Sequence, residues 1–263
     1  MESYPLPSVD IAIPVHDGIK AQDLRECLES VKNQSYKPIN ISVYVDGNIR
    51  SELDDVLVEF QDSLSVNYME KIGLSAILNY SILLSRSPYY ARMDADDIMY
   101  TDRIKIQVEY LQRNPDIKIL GTSFTEFTTA ESKHRNMPHD HKIISEMLHY
   151  RNPFAHPTIM FRREVFKTIG LYSRNFPYAE DLELWTRADI NSIKMTNLPQ
   201  QLLYYRMGEM HARRNNFIAF KSEAKVRLRN STRSPRIFLL KIIAITFRLL
   251  PPKIAKFAYK IRK

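Results

Sequence analysis

The chain has 263 residues, 44% hydrophobic and 26% charged, an ordinary globular composition that excludes wholesale disorder. A single cysteine, Cys27, excludes an intramolecular disulfide framework and any cysteine-based zinc or iron–sulfur site; six scattered glycines exclude a Walker A loop and a G-x-G-x-x-G turn. From His211 onward there are fifteen Lys or Arg and one acid, Glu223, so a basic tail follows a body of net charge −6, and an anionic surface is expected as partner. In chain order, Val9–Val15 (VDIAIPV) predicts a buried strand that runs into a loop, and Ala21–Lys32 repeats apolar residues at helical spacing. Strands are expected at 39–45, 65–70, 89–93 and Ile117–Phe127, with helices at 53–60, 75–85 and 103–114. This alternation argues for a mostly parallel sheet wrapped by helices. After His134 prolines recur and helices alternate with loops, which suggests a second lobe built onto the sheet. The opening residues lack a basic stretch followed by an apolar core, so no secretory signal is expected, and no apolar run reaches spanning length.

Three constellations carry chemistry. Arg92-Met93-Asp94-Ala95-Asp96-Asp97 follows a strand, where alternation places Arg92, Asp94 and Asp96 on one side. Two converging carboxylates there suit Mg²⁺ or Mn²⁺ and a substrate diphosphate; the same residues also suit an acidic turn in which Asp97 or Asp102 caps the next helix. Glu180-Asp181 precedes an apolar helical repeat containing Trp185. A carboxylate held there could act as a general base, although acids at a helix N-terminus are also what the dipole prefers. Pro14, Val15, His16 and Asp17 end the first strand, Asp46 ends the second, and the segment from Gly73 to Asn79 opens a helix; these are the carboxyl ends where a nucleotide would lie. His139-Asp140-His141 lacks a third ligand nearby and reads as a solvated loop.

Together these pieces resemble the inverting family 2 glycosyltransferases with the GT-A fold. Pro14-Val15-His16-Asp17 looks like the family's I-P-V-[YF]-N, Val45-Asp46-Gly47 like V-D-D-G-S, and the segment from Lys71 to Asn79 like N-x-G-x-x-x-A-x-N. The stretch ARMDADDIMYTDRIKIQVEYLQRNPDIKILGT is close to the family pattern throughout. His156-Pro157, Gly170, Tyr172, Glu180-Asp181, Trp185 and Leu203-Tyr204-Tyr205-Arg206 follow in order, so the likeness covers about residues 8 to 210. It implies a GT-A domain over 1–205, with a nucleotide-sugar half to about 130 and an acceptor half from about 131. A basic amphipathic tail then occupies 206–263. It also implies transfer of a hexose, from UDP-Gal or UDP-Glc, to GlcNAc or GalNAc on undecaprenyl diphosphate, as in O-antigen or capsule assembly. Asp181 matches the catalytic base, Asp96 the metal ligand, Asp94 the carboxylate near ribose and metal, and Asp46 the one that meets base or ribose. Pro14, Val15, His16, Asp17, Gly73, Asn79, Arg92 and Ala95 complete the nucleotide-sugar set. Glu180 and Trp185 are assigned to the acceptor, with core packing the other reading of Trp185. His211 could reach the same metal, as a tail histidine does in some GT-A enzymes.

In the tail, Ile237 to Leu250 are apolar apart from Lys241, Thr246 and Arg248, and Lys241 and Arg248 would share one helical face. Beyond Pro251-Pro252, an apolar stripe of Ile254, Phe257, Ala258 and Ile261 faces away from Lys253, Lys256, Lys260 and Lys263. Fourteen helical residues span about 21 Å, short of a bilayer core of roughly 30 Å. An interfacial anchor at the cytoplasmic face of a bacterial inner membrane is therefore expected, with bases among anionic headgroups. Packing on the body as a core helix is the other reading. A nucleic-acid partner is not expected, because that face has no need of interleaved apolar runs. A basic-tailed nucleic-acid binder and a metal-dependent nucleotide hydrolase are the competing functions.

Overall fold

The computed structural model describes residues 6–207, 217–232 and 234–247. The buried run β1 (Val9–Val15) lies between β2 (Ile39–Asp46) and β4 (Tyr89–Arg92), and β3 (Ser65–Met69) flanks β2, all in parallel. The connections are α1 (Ala21–Lys32), α2 (Ser51–Glu59) and α3 (Leu74–Leu84). The expected elements up to Phe127 are all present, with ends shifted by no more than two residues. In α1 the buried stripe is Leu24, Cys27, Leu28 and Val31, the i, i+3, i+4, i+7 set that the periodicity required.

Past β4 come a two-residue strand, β5 (Ile98–Met99), then α4 (Arg103–Arg113), β6 (Ile117–Phe127) and β7 (Ser132–Arg135). Next are α5 (His141–Met147), β8 (Met160–Arg162), α6 (Val165–Ile169), α7 (Glu180–Ile190) and β9 (Lys194–Arg206). The strand order is β3-β2-β1-β4-β8-β6-β9-β5, with β7 attached to β6. Helices alternating with loops, the expectation after His134, therefore omit two strands. β8 runs antiparallel to both β4 and β6, and so welds the two halves into one sheet. β9 runs parallel to β6 through bulges near Thr122 and Ser123. Its sequence, KMTNLPQQLLYYR, has no clean alternation, and its strand character comes from that partner.

Side chains of α1, α2 and α4 pack on one face of the sheet, and those of α3, α5, α6 and α7 on the other. The result is the GT-A fold, an α/β architecture with a curled sheet between helical layers, followed by C-terminal helices. Pro14 sits inside the central strand, where a missing N–H would normally cost a ladder bond. β1 pairs with β4 only through Ala12, so Pro14 lies where that side of the strand is already open. The two strands part there, and the gap is where the site forms.

α8 (Phe217–Arg229) packs against α7, and α9 (Pro235–Phe247) against α8. Lys241 was expected among headgroups. It is instead 3% exposed, its ammonium donating to the Asn230 carbonyl, because the free carbonyls that end α8 attract a cation. The apolar Phe238, Leu239, Ile242 and Ile243 of α9 face outward. Among the described residues no helix is long and apolar enough to cross a membrane. Arg248 and the rest of the tail, residues 248–263, lie outside the described residues.

Candidate active site

β4 stops at Arg92, and the chain turns through Asp94, Asp96 and Asp97 before β5. Carboxylate oxygens of these three aspartates lie within 4.8 Å of one another, the one such acid, histidine or cysteine grouping among the described residues. Burial, together with the charge of Asp94, pushes the Asp96 carboxyl up to about 6, and burial with the charges of Asp94 and Asp96 raises Asp97 well above the usual carboxylate range. Asp97 is 1% exposed; its Oδ1 accepts from the Arg206 N–H at 2.8 Å, while its Oδ2 is buried with no partner. A buried carboxylate oxygen without a donor, crowded by two more acids, is a site short of positive charge. Hard oxygen donors in that arrangement fit Mg²⁺ or Mn²⁺. Asp97 therefore belongs to the cluster and caps nothing. Asp102 holds the N-cap position of α4, but its carboxylate accepts from the Ser35 hydroxyl at 2.6 Å rather than from the helix.

Arg92, Asp94 and Asp96 converge as alternation required, and the Arg92 guanidinium donates to Asp94 Oδ1. Burial works against this cation, yet Asp94 outweighs it and raises the guanidinium above its ordinary value. Its Nε and Nη1 are buried and have no hydrogen-bond partner. Arg103, fully buried beneath, donates from Nη2 to the Arg92 carbonyl at 3.1 Å. Arg206, at the end of β9, holds the loop from the other side. Its Nε donates to the Asp96 carbonyl at 2.8 Å, and its guanidinium reaches Glu26 at 2.5 Å and Asp23 at 3.4 Å.

The residues assigned to the nucleotide line the same edge but are differently employed. Asp46 Oδ1 accepts from the N–H groups of Ile72 and Gly73, at 2.7 and 3.1 Å. Gly73 has φ +83°, a conformation that L side chains rarely adopt, and it delivers that N–H while opening α3. Asp17 accepts from Arg50 N–H at 2.8 Å, and His16 Nδ1 accepts from Gly18 N–H at 2.9 Å, so both shape the loop after β1. Val15 and Ala95 are buried side chains, and Pro14 is half-buried. Asn79 does not face the nucleotide edge. Its amide donates to the Tyr172 carbonyl and accepts the Tyr172 N–H, both at 2.8 Å, which clamps α3 to the segment before α7.

Asp181 occupies the first turn of α7. Asn152 Nδ2 donates to its Oδ2 at 2.6 Å, and the Leu182 N–H donates to Oδ1 at 2.6 Å. Glu180 is half-buried beside it. Trp185 is corrected to a core residue: at 0% exposure it packs on Phe154, Phe161 and His156 and has no surface to offer an acceptor. The exposed aromatic nearby is Tyr178, 55% exposed at φ 66°, a left-handed conformation that costs a non-glycine residue energy. Tyr172, in the segment before α7, is buried. Its hydroxyl bonds His156 Nε2 at 2.8 Å, and its phenol is driven well up by burial and Tyr90, with Asp181 and Glu180 adding to the rise and Arg92 opposing it. His211 lies outside the described residues. His141 Nδ1 accepts the Met195 N–H, and Asp140 caps α5, so that loop is structural.

Sequence reasoning passed over Asn152, Tyr178 and Arg206 as functional residues. Only Arg206 carried a signal, its place in the Leu203-Tyr204-Tyr205-Arg206 segment.

An acidic cluster at a strand end and a carboxylate in the first turn of α7 agree with what sequence comparison finds. Residues 10–170 match the family model described as glycosyl transferase family 2. The chain belongs to that family. Among its relatives, the amylovoran biosynthesis glycosyltransferase AmsE of Erwinia amylovora is 27% identical over 95% of this chain and 97% of its own. An Escherichia coli UDP-Gal:alpha-D-GlcNAc-diphosphoundecaprenol beta-1,3-galactosyltransferase is 28% identical over 98% and 97%. In fold, this glycosyltransferase superposes on the crystal structure of S. aureus TarS in complex with UDP with a TM-score of 0.69. That match has 13% identity and covers 96% of this chain and 75% of the other.

Proposed function

We propose that this family 2 glycosyltransferase is an inverting, metal-dependent hexosyltransferase. It moves galactose or glucose from the UDP-sugar to GlcNAc or GalNAc carried on undecaprenyl diphosphate, in surface polysaccharide assembly. The observation that carries the reading is the acidic cluster at the end of β4, with its buried, unpartnered Asp97 oxygen, on a fold that also holds Asp181 at the start of α7. The near full-length likeness to a galactosyltransferase acting on a diphosphoundecaprenol acceptor supports the donor and acceptor classes.

Asp94, Asp96 and Asp97 would hold Mn²⁺ or Mg²⁺, which neutralises charge gathering on the leaving diphosphate. Asp46 fixes the loop from Ile72 to Gly73 at the nucleotide edge. Asp181, steered by Asn152, takes the proton of the acceptor hydroxyl. That oxygen bonds to the anomeric carbon as the carbon–oxygen bond to the diphosphate breaks, and UDP leaves with the electron pair. The outward apolar residues of α9 support peripheral association with the cytoplasmic face of the membrane.

The test is a screen of nucleotide-sugars with Mn²⁺ against a synthetic lipid-diphosphate GlcNAc or GalNAc acceptor. Transfer that vanishes in Asp96→Ala supports the reading. Hydrolysis without transfer, or full activity of Asp96→Ala, overturns it.

A further inference from the structure

α8 carries two parallel rows at four-residue spacing. Phe220, Ala224 and Leu228 form an apolar row, and Lys221, Lys225 and Arg229 a basic row beside it. Together the two rows line a shallow, open and mainly apolar face of α8. The three bases are exposed, spread over about 12 Å of helix, and none has a carboxylate partner among the described residues. The helix's one acid, Glu223, is buried and consumed by buried Arg227. Lys225 and Arg229 lie over the ring of Phe176, at 5.1 and 5.2 Å, which limits their freedom and holds the charges in place. Phe176 belongs to the segment that leads into α7 and Asp181, and its carbonyl accepts the Ala179 N–H.

Aligned cations beside an apolar floor complement one kind of ligand, a multivalent anion joined to hydrocarbon. Phe176 lies five residues before Asp181, so an anion held by Lys225 and Arg229 would rest on the segment that opens α7. We propose that this face binds the diphosphate and first isoprene units of the lipid-linked acceptor, and so presents the attached sugar to Asp181. This rests on the acceptor class proposed above. Phospholipid headgroups would need only scattered surface charge, without cations held over a ring.

The test uses the full chain with farnesyl diphosphate as probe, and with UDP and Mn²⁺ saturating so that the donor site is closed to it. Wild type should bind farnesyl diphosphate more tightly than farnesol or inorganic pyrophosphate. Lys225→Gln/Arg229→Gln should weaken that binding about tenfold or more, and Lys225→Arg/Arg229→Lys should restore it. Donor binding should be unchanged in both variants. Direct binding needs no turnover, so a wrong sugar or acceptor would leave this result intact while the transfer screen failed. Equal binding of farnesyl diphosphate by wild type and the Gln variant would overturn the proposed site. So would loss of flotation with anionic liposomes while farnesyl diphosphate still bound, which would mark a bilayer contact.

Discussion

Asp181→Asn replaces one carboxylate oxygen by an amide at nearly constant volume. In the native site Oδ2 accepts from Asn152 and Oδ1 from the Leu182 N–H, both at 2.6 Å. An asparagine has one acceptor, so whichever way it turns, one of those donors meets an NH₂ group. The expected stability cost is about 1 kcal/mol, or roughly 2–4 °C in Tm for a chain of this size. The kinetic cost is larger, because no proton acceptor then faces the sugar hydroxyl. Loss of a positioned general base should lower transfer about 10²–10⁴-fold, near 3–5 kcal/mol of barrier. Donor affinity should stay within about twofold, since Asp181 sits on α7, away from the strand ends that carry the nucleotide residues. Radiolabelled transfer to a diphosphate-GlcNAc acceptor gives the rate, and calorimetry with the UDP-sugar gives the affinity. If donor affinity falls as far as the rate, Asp181 is a structural residue and the assignment of the base is wrong.

Three other outcomes follow from the same structure. Arg206→Ala leaves Asp23 and Glu26 facing the acidic loop without their cation, and should cost about 2–3 kcal/mol while raising the Mn²⁺ concentration for half-maximal activity. Lower stability with an unchanged Mn²⁺ titration would show that Arg206 does not position the loop. Burial works against the Asp10 carboxylate, but the hydroxyls of Ser87 and Ser85, the Asn40 amide and the Ser87 N–H outweigh it and hold it below its ordinary 3.8. Its stabilisation is therefore complete above about pH 4 and fades as pH falls through the lower folded value. Asp10→Asn should reduce Tm at neutral pH and flatten its fall in acid, and parallel Tm–pH curves for variant and wild type would refute this. Leu239→Glu/Ile243→Glu on α9 should abolish flotation with anionic liposomes and spare transfer to a soluble acceptor; unchanged flotation would remove α9 from the membrane contact.

Up to Phe127 the order of strands and helices is legible in the chain, because each element buries a local stripe whose period can be counted. The acid-rich turn after β4 and the acids opening α7 are legible too, since charge at strand and helix ends stands out against apolar neighbours. What those side chains do is decided by residues distant in sequence. Asp97 and Asp96 are both held by Arg206, 109 and 110 positions away, and Asn79 is spent on Tyr172, 93 positions away. β9 becomes a strand because β6 lies beside it, and Trp185 is core because Phe154 and Phe161 close over it. Lys241 shows the same division: its sequence context of apolar neighbours suits a membrane face, yet the carbonyl end of α8 draws it inward and turns those neighbours outward. Periodicity is a property of adjacent residues and can be read along the chain, whereas burial, pairing and the sharing of a cation depend on which elements meet, and only the folded sheet brings them together.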